Sequence, residues 1–155
     1  MEGEAREAYE FQTGLKTSPS GFFTDPKGNY GASPDFLVLD QPGERGGGEI
    51  KCLDGVNHLK YLLIDEVPLE FKAQIQGQIH IAELDWLDWW LYHPLLPRKS
   101  LRVYRDEEFI TDLSFALEKF RDEMSKKITM LQDMDLWIQT QPPVPAPSTF
   151  GIMAG

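Results

Sequence analysis

A short apolar run, Phe36-Leu37-Val38-Leu39-Asp40, is followed by the turn-forming stretch Gln41-Pro42-Gly43-Glu44-Arg45-Gly46-Gly47 and then by a second run from Glu49 to Leu53. Two strand-length segments joined by glycine and proline predict a β-hairpin. A hairpin commits the chain to a sheet, and the two-residue period of a strand decides which side chains share a face. Glu49 and Lys51 then point one way, while Ile50 points into the opposite packing layer. With Asp35 at the end of the first strand, two carboxylates and an ammonium converge from neighbouring strands.

The remaining segments predict elements that surround this hairpin. Residues Glu2 to Phe11 carry Ala5, Ala8, Tyr9 and Phe11 among charged residues, the pattern of an amphipathic helix, and Gly14 is a C-terminal stop. Leu15 to Gly31 is irregular or a hairpin, punctuated by Pro19, Gly21, Pro26 and Gly28, with Gly21-Phe22-Phe23-Thr24 as a short strand. Asp54 to Val67 reads as loop or short strand, its apolar part being Tyr61-Leu62-Leu63-Ile64. Leu69 to Leu84 is helical, with Phe71, Ile75, Ile79 and Ala82 in one stripe, Gln74 and Gln78 beside it and Gln76 projecting elsewhere. Trp86 to Tyr92 is a strand ended by Pro94 and Pro97, and Leu101 to Tyr104 is another. Asp106 is a good N-cap for a long helix from Glu107 to Asp133, whose apolar residues run from Phe109 through Phe120 and Met124 to Leu131. From Gln139 the proline-rich tail to Gly155 has no periodicity and is expected to be disordered or a docking strap. No internal repeat is present, and the whole is a mixed α/β (α+β) chain.

Composition narrows the class. A chain of 155 residues, 41% hydrophobic and 26% charged, is ordinary for one globular domain. The formal net charge of −10 argues against nucleic acid as a partner, because phosphate neutralisation supplies most non-specific affinity. That argument is weak where bound divalent cations or a locally basic channel override an acidic exterior. A single cysteine, Cys52, excludes an intramolecular disulfide and fits a reducing compartment; it reads as a buried strand residue rather than a nucleophile. No apolar run approaches the ~20 residues needed to cross a bilayer. The acidic start Met1-Glu2-Gly3-Glu4 lacks the order of a secretory signal. The expectation is a soluble protein of the cytoplasm.

The convergent acids and lysine read as a metal-dependent phosphodiester-cutting site. Such chemistry needs charge neutralisation at the phosphoryl group and an activated water, and hard divalent cations held by carboxylates provide both. Asp35 and Glu49 are the ligand candidates, with the main-chain carbonyl of Ile50 as a third oxygen. Lys51 would orient or help deprotonate the water and stabilise developing negative charge. The bare pattern, Pro-Asp, 13 intervening residues, then Glu-x-Lys, is loose, because Glu and Lys alternate on many solvated strands. Ile50 between apolar neighbours marks an interior strand, which has little reason to carry Glu and Lys unless they are used.

Gly31-Ala32-Ser33-Pro34-Asp35, Glu49-Ile50-Lys51-Cys52, Gln74-Ile75-Gln76-Gly77-Gln78, Tyr92-His93-Pro94 and Arg102-Val103-Tyr104-Arg105-Asp106-Glu107 occur here in that order. From about Glu2 to Glu123 the chain resembles the lambda-exonuclease or YqaJ-like viral recombinase family. The resemblance implies a restriction-endonuclease-like core, a mixed central sheet flanked by helices, with Mg²⁺ at the strand ends and Mn²⁺ as a substitute. It matches Asp35 and Glu49 to metal ligands, Lys51 to the catalytic lysine, and Gln74 to a helix glutamine at the active site, with Gln76 as the neighbouring alternative. Ser33 falls where a terminal phosphate is held, and Glu2 matches an acidic ligand on a preceding helix. Implied too are 5′ to 3′ digestion of linear double-stranded DNA to leave 3′ overhangs, a homotrimeric ring, and a single-strand annealing protein as partner.

Three features depart from the family pattern. Phe36 stands where glycine usually follows the Pro-Asp pair, and Gly46, Gly47 and Gly48 make the hairpin loop unusually glycine-rich. The family also has an N-terminal helical segment with an arginine motif that receives the 5′ phosphate, and this chain starts after it. The expectation is therefore an exonuclease domain over residues 1–138, truncated relative to the family, and a tail over 139–155.

Blander readings stand beside these. Trp86, Trp89 and Trp90 suit core packing, as Leu87 and Leu91 interleave with them, although aromatic platforms also stack bases. His58, His80 and His93 lack ligand spacing, and Lys126-Lys127 is a solvated helix face or the lining of a DNA channel. The stretch Gly43 to Gly48 lacks the lysine-serine ending of a phosphate-binding loop. The alternative to an enzyme is a catalytically impaired relic or interaction module that keeps the fold. Asp35, Glu49 and Lys51 occurring together disfavour it.

Overall fold

The computed structural model describes residues 1–39 and 42–134; the tail predicted from Gln139 lies outside the described residues. Two compact units divide the chain, Met1–Phe115 and Ala116–Gly155. The first contains the helices α1 (Glu2–Thr13), α2 (Gly55–Leu62) and α3 (Leu69–Ile81), the strands β1 (Thr17–Pro19), β2 (Phe23–Thr24), β3 (Gly31–Ala32), β4 (Phe36–Val38), β5 (Gly46–Cys52), β6 (Trp86–Tyr92) and β7 (Lys99–Tyr104), and the start of α4 (Glu107–Asp133).

A five-stranded sheet of order β1-β4-β5-β6-β7 forms the centre, and β2 pairs with β3 in a separate ribbon. Only the β5–β6 pair within the five-stranded sheet is parallel. A parallel pair needs a crossover, and α2 with α3 supplies it. Every residue of β6 is buried, which explains why its sequence, Trp-Leu-Asp-Trp-Trp-Leu-Tyr, is apolar on both faces. On one face Trp90 and Tyr92 pack with Phe36 and with Ala5, Ala8 and Tyr9 of α1. On the other, Leu87, Trp89 and Leu91 pack with Ile75, Ile79 and Ala82 of the predicted α3 stripe, with Tyr61 and with Ile110. The three tryptophans are fully buried, so they are core and present no open platform for a base.

One polar group is enclosed in this apolar strand. Asp88 accepts hydrogen bonds from the Tyr9 hydroxyl at 2.7 Å and from Arg102 Nε and Nη2 at 2.9 Å each. The guanidinium also lies 3.6 Å from the Trp86 ring centroid. Burial and the Asp88 charge push the Tyr9 phenol well above its usual range, so it stays a donor at all ordinary pH values. Tyr9→Phe removes one donor from a buried carboxylate and should cost about 1–2 kcal/mol, measurable by urea unfolding. An unchanged midpoint would show that this bond contributes nothing net.

Two of the departures from the sequence expectation involve β5 and the segment after it. Asp54 to Val67 is neither loop nor strand throughout, since Gly55–Leu62 is helical and Asp54 is its N-cap, accepting from Val56 N and Asn57 N at 3.1 Å. The apolar run Tyr61-Leu62-Leu63-Ile64 straddles the end of that helix, and the short length hid its period. The glycines at 46, 47 and 48 belong to β5 rather than to the turn. A Cβ at Gly46 would fall 2.1 Å from Trp86 Cζ2 and one at Gly48 would fall 2.0 Å from Phe36 Cζ. Gly46 and Gly48 are therefore room for neighbouring rings, and Gly47 for Leu84, not turn chemistry.

Candidate active site

The predicted hairpin forms, but β4 is shorter than β5. Phe36 and Leu37 pair with Gly48 and Gly47, and no residue of β4 pairs with the stretch from Glu49 to Cys52. The chain parts from β5 at Asp35, whose amide still donates to Gly48 O at 2.9 Å. Its carboxylate takes over where the ladder stops, Oδ2 accepting from Ile50 N at 2.6 Å. Because the N–H and C=O of one strand residue point to the same edge, the Ile50 carbonyl faces the notch that Asp35 occupies.

Glu49 and Lys51 share the α3-facing side of β5, as alternation predicts, and Ile50 packs on the α1 side. Lys51 Nζ lies 2.8 Å from Glu49 Oε1, and both side chains are largely buried. Gln74 closes the ring, its Nε2 donating to Glu49 Oε1 at 2.7 Å while its Oε1 accepts from Lys51 Nζ at 3.1 Å. The ammonium stands 4.8 Å from the Phe71 ring centroid, a cation–π contact that limits where it can go.

Asp35 titrates far from its ordinary range: burial raises its pKa from 3.8 to about 6, opposed by the Ile50 N–H and reinforced by the charges of Glu49 and Glu2. Two acids near a third, with the lysine already paired to one of them, make a place where a cation is electrostatically favoured. Among the described residues no group of three or more His, Cys, Asp or Glu side chains is placed to hold a metal. The available donors are two carboxylates and a backbone carbonyl. Such an all-oxygen set fits a hard cation that keeps several waters, as Mg²⁺ does, rather than a soft or tetrahedral one.

The other predicted residues separate. Glu2 opens α1, and its charge reaches Asp35 without a hydrogen bond to it. The Ser33 hydroxyl donates to Gly21 O at 3.2 Å. Gln76, the alternative to Gln74, is excluded from the cluster: its amide donates to Tyr104 O at 2.8 Å and accepts from Asp106 N at 3.0 Å, joining β7 to the start of α4. Of the histidines, His58 is buried with Nε2 2.7 Å from Pro97 O, and His80 Nδ1 is 3.3 Å from Arg105 Nη2. The residue that sequence reasoning missed is Gln78. It donates to Glu49 Oε2 at 2.7 Å, and its four-residue spacing from Gln74 was the available signal.

Residues 1–85 match the model of the YqaJ-like viral recombinase domain, more than half of the chain. The chain belongs to this family. A similar solved structure is the alkaline exonuclease LHK-Exo from Laribacter hongkongensis, with 28% identity and a TM-score of 0.78 over 86% of this chain and 70% of that one. LHK-Exo in complex with dAMP matches at the same identity and TM-score, over 86% and 69%. No curated protein sequence matches the chain. The mixed sheet flanked by helices that the YqaJ resemblance implied is the fold observed. Among the described residues no helix is long and apolar enough to cross a membrane.

Proposed function

We propose that this YqaJ-family chain is a Mg²⁺-dependent deoxyribonuclease that hydrolyses linear double-stranded DNA from 5′ to 3′ and leaves 3′ overhangs for annealing. The observation that carries the reading is the meeting of Asp35, Glu49 and Lys51 where β4 leaves β5. Membership of a recombinase family and likeness to an alkaline exonuclease support the same chemistry. Asp35, Glu49 and the Ile50 carbonyl would hold the ion, with Glu2 as an outer acidic partner and Mn²⁺ as a substitute. When bound, a divalent cation neutralises phosphoryl charge and lowers the pKa of a coordinated water.

The chain's own groups then have distinct tasks. Lys51, fixed by Glu49 and Gln74, presents its remaining N–H to the attacking water or to the negative charge that develops on the phosphate. Gln74 locks the lysine and Glu49 in one relative geometry, which is what preorganisation requires. Ser33 is the candidate to hold a terminal phosphate. Residues 1–138 form the nuclease domain, acting as a homotrimeric ring in the cytoplasm of a bacterial host beside a single-strand annealing protein. A closed ring around duplex DNA allows repeated cuts without release.

Polarity and cutting are tested together with 5′-phosphorylated linear duplex labelled at one end or the other. In Mg²⁺ the 5′ label should leave early as mononucleotide, while the 3′ label stays in long single strands. Early loss of the 3′ label would contradict the polarity. Intact DNA with both labels retained would contradict the nuclease reading. Lys51→Met should slow release of the 5′ label by ~10²-fold or more, since it removes a proton donor and charge stabiliser together.

A further inference from the structure

Gln74 and Gln78 stand one turn apart on α3 and both amides reach Glu49, but they meet different oxygens. Oε1 accepts from Lys51 and from Gln74, and Oε2 accepts from Gln78. A carboxylate offers about four lone-pair sites, two on each oxygen. Oε1 is therefore filled, and the one site left for a cation is on Oε2, beside the bond from Gln78.

The same Gln78 nitrogen, which carries two hydrogens, lies 3.2 Å from Ser33 O. Ser33 is two residues before Asp35, on the segment that brings that carboxylate to β5. One amide thus ties Glu49 to the backbone that carries Asp35. Gln78 is only 4% exposed, and its Oε1 is buried with no hydrogen-bond partner. A buried acceptor left without a partner costs stability. The amide accepts that cost in order to aim both donors at the site.

We infer that Gln78 is a positioning residue that fixes which oxygen of Glu49 faces the cation and how far Glu49 stands from Asp35. The inference rests on the metal-dependent reading above. It makes Gln78 act through Glu49, not on the DNA, so removing it should weaken metal binding rather than the rate at saturating metal. Loss of partners that orient metal ligands typically lowers metal affinity 10–100-fold.

The test uses the full chain without DNA, reading Mn²⁺ binding from the spin-resonance signal of free Mn²⁺, for wild type, Gln78→Met and Gln78→Asn. Methionine keeps the length without a donor, and asparagine keeps the amide one methylene short, so one reports if the other fails to fold. Both should bind Mn²⁺ about 10–100-fold more weakly, and the metal concentration for half-maximal nuclease rate should rise in step while the maximal rate stays within about threefold. Variants that bind within twofold of a wild type that does bind Mn²⁺ overturn the role of Gln78 alone. A wild type that binds no Mn²⁺ overturns both this role and the metal-dependent reading.

Discussion

Asp35→Asn should abolish nuclease activity and, at the same time, raise the melting temperature of the metal-free protein. Burial raises the folded-state pKa of Asp35 from 3.8 to about 6, so keeping it ionised costs stability. That cost is absent below about pH 4, grows between pH 4 and 6 as the unfolded chain ionises first, and is complete above pH 6. A shift of this size corresponds to at most about 3 kcal/mol, and solvent screening of a half-buried group reduces it to ~1 kcal/mol. Asparagine keeps an oxygen to accept from Ile50 N and carries no charge. For a chain of this length the gain amounts to roughly 2–4 °C at pH 8 and none at pH 4. Divalent cation should raise the melting temperature of wild type and leave Asp35→Asn unmoved. On DNA the variant should lose ~10³-fold or more, because under the proposed metal-dependent reading it forfeits a cation worth several kcal/mol of charge stabilisation. A variant that is less stable at pH 8, or still active, would contradict this view of Asp35.

Gly48→Ala should be among the most destabilising single-methyl additions in the chain. The new Cβ would stand 2.0 Å from Phe36 Cζ, and Phe36 is fully buried, with its ring centroid 4.7 Å from that of Tyr9. Overpacking a closed site typically costs 1–3 kcal/mol, and this contact lies at the upper end because the obstacle is an enclosed ring. A loss of ~3 kcal/mol lowers the melting temperature by roughly 6–12 °C. Since Phe36 follows Asp35, its displacement should also weaken the site. Gly3→Ala is the matched control: it has nothing within 4 Å and lies in α1, so it should be neutral or stabilising by up to ~1 kcal/mol. Partial rescue of Gly48→Ala by Phe36→Leu would locate the clash. Equal melting temperatures for Gly48→Ala and wild type would refute it.

The glycines also show why part of this protein was legible from its residues and part was not. The helical period over Leu69–Leu84 and the apolar run Trp86–Tyr92 report burial, and α3 and β6 form there, with α3 ending at Ile81. The helix over Glu107–Asp133 also forms, but it buries only Ile110 among the described residues, while Phe120 and Met124 of its apolar stripe are exposed. Alternation placed Glu49 and Lys51 on one side because a strand has no other choice. Gly46 to Gly48 read as a turn because a missing Cβ has two meanings, free backbone or a close neighbour, and only the positions of Trp86, Leu84 and Phe36 distinguish them. The eight-residue α2 was missed because two turns are too few to display a period. Gln74, Gln76 and Gln78 are chemically identical, and helical phase is what separates them: as the period predicts, Gln76 projects elsewhere, toward β7, while the other two reach Glu49.

Asp35, Glu49 and the Ile50 carbonyl are proposed to share one divalent cation beside Lys51. Anomalous scattering from crystals of the protein grown with Mn²⁺ measures this directly. A peak within coordination distance of Asp35, Glu49 Oε2 and the Ile50 carbonyl is the expected result. A peak elsewhere, with these three groups free of metal, would contradict the account.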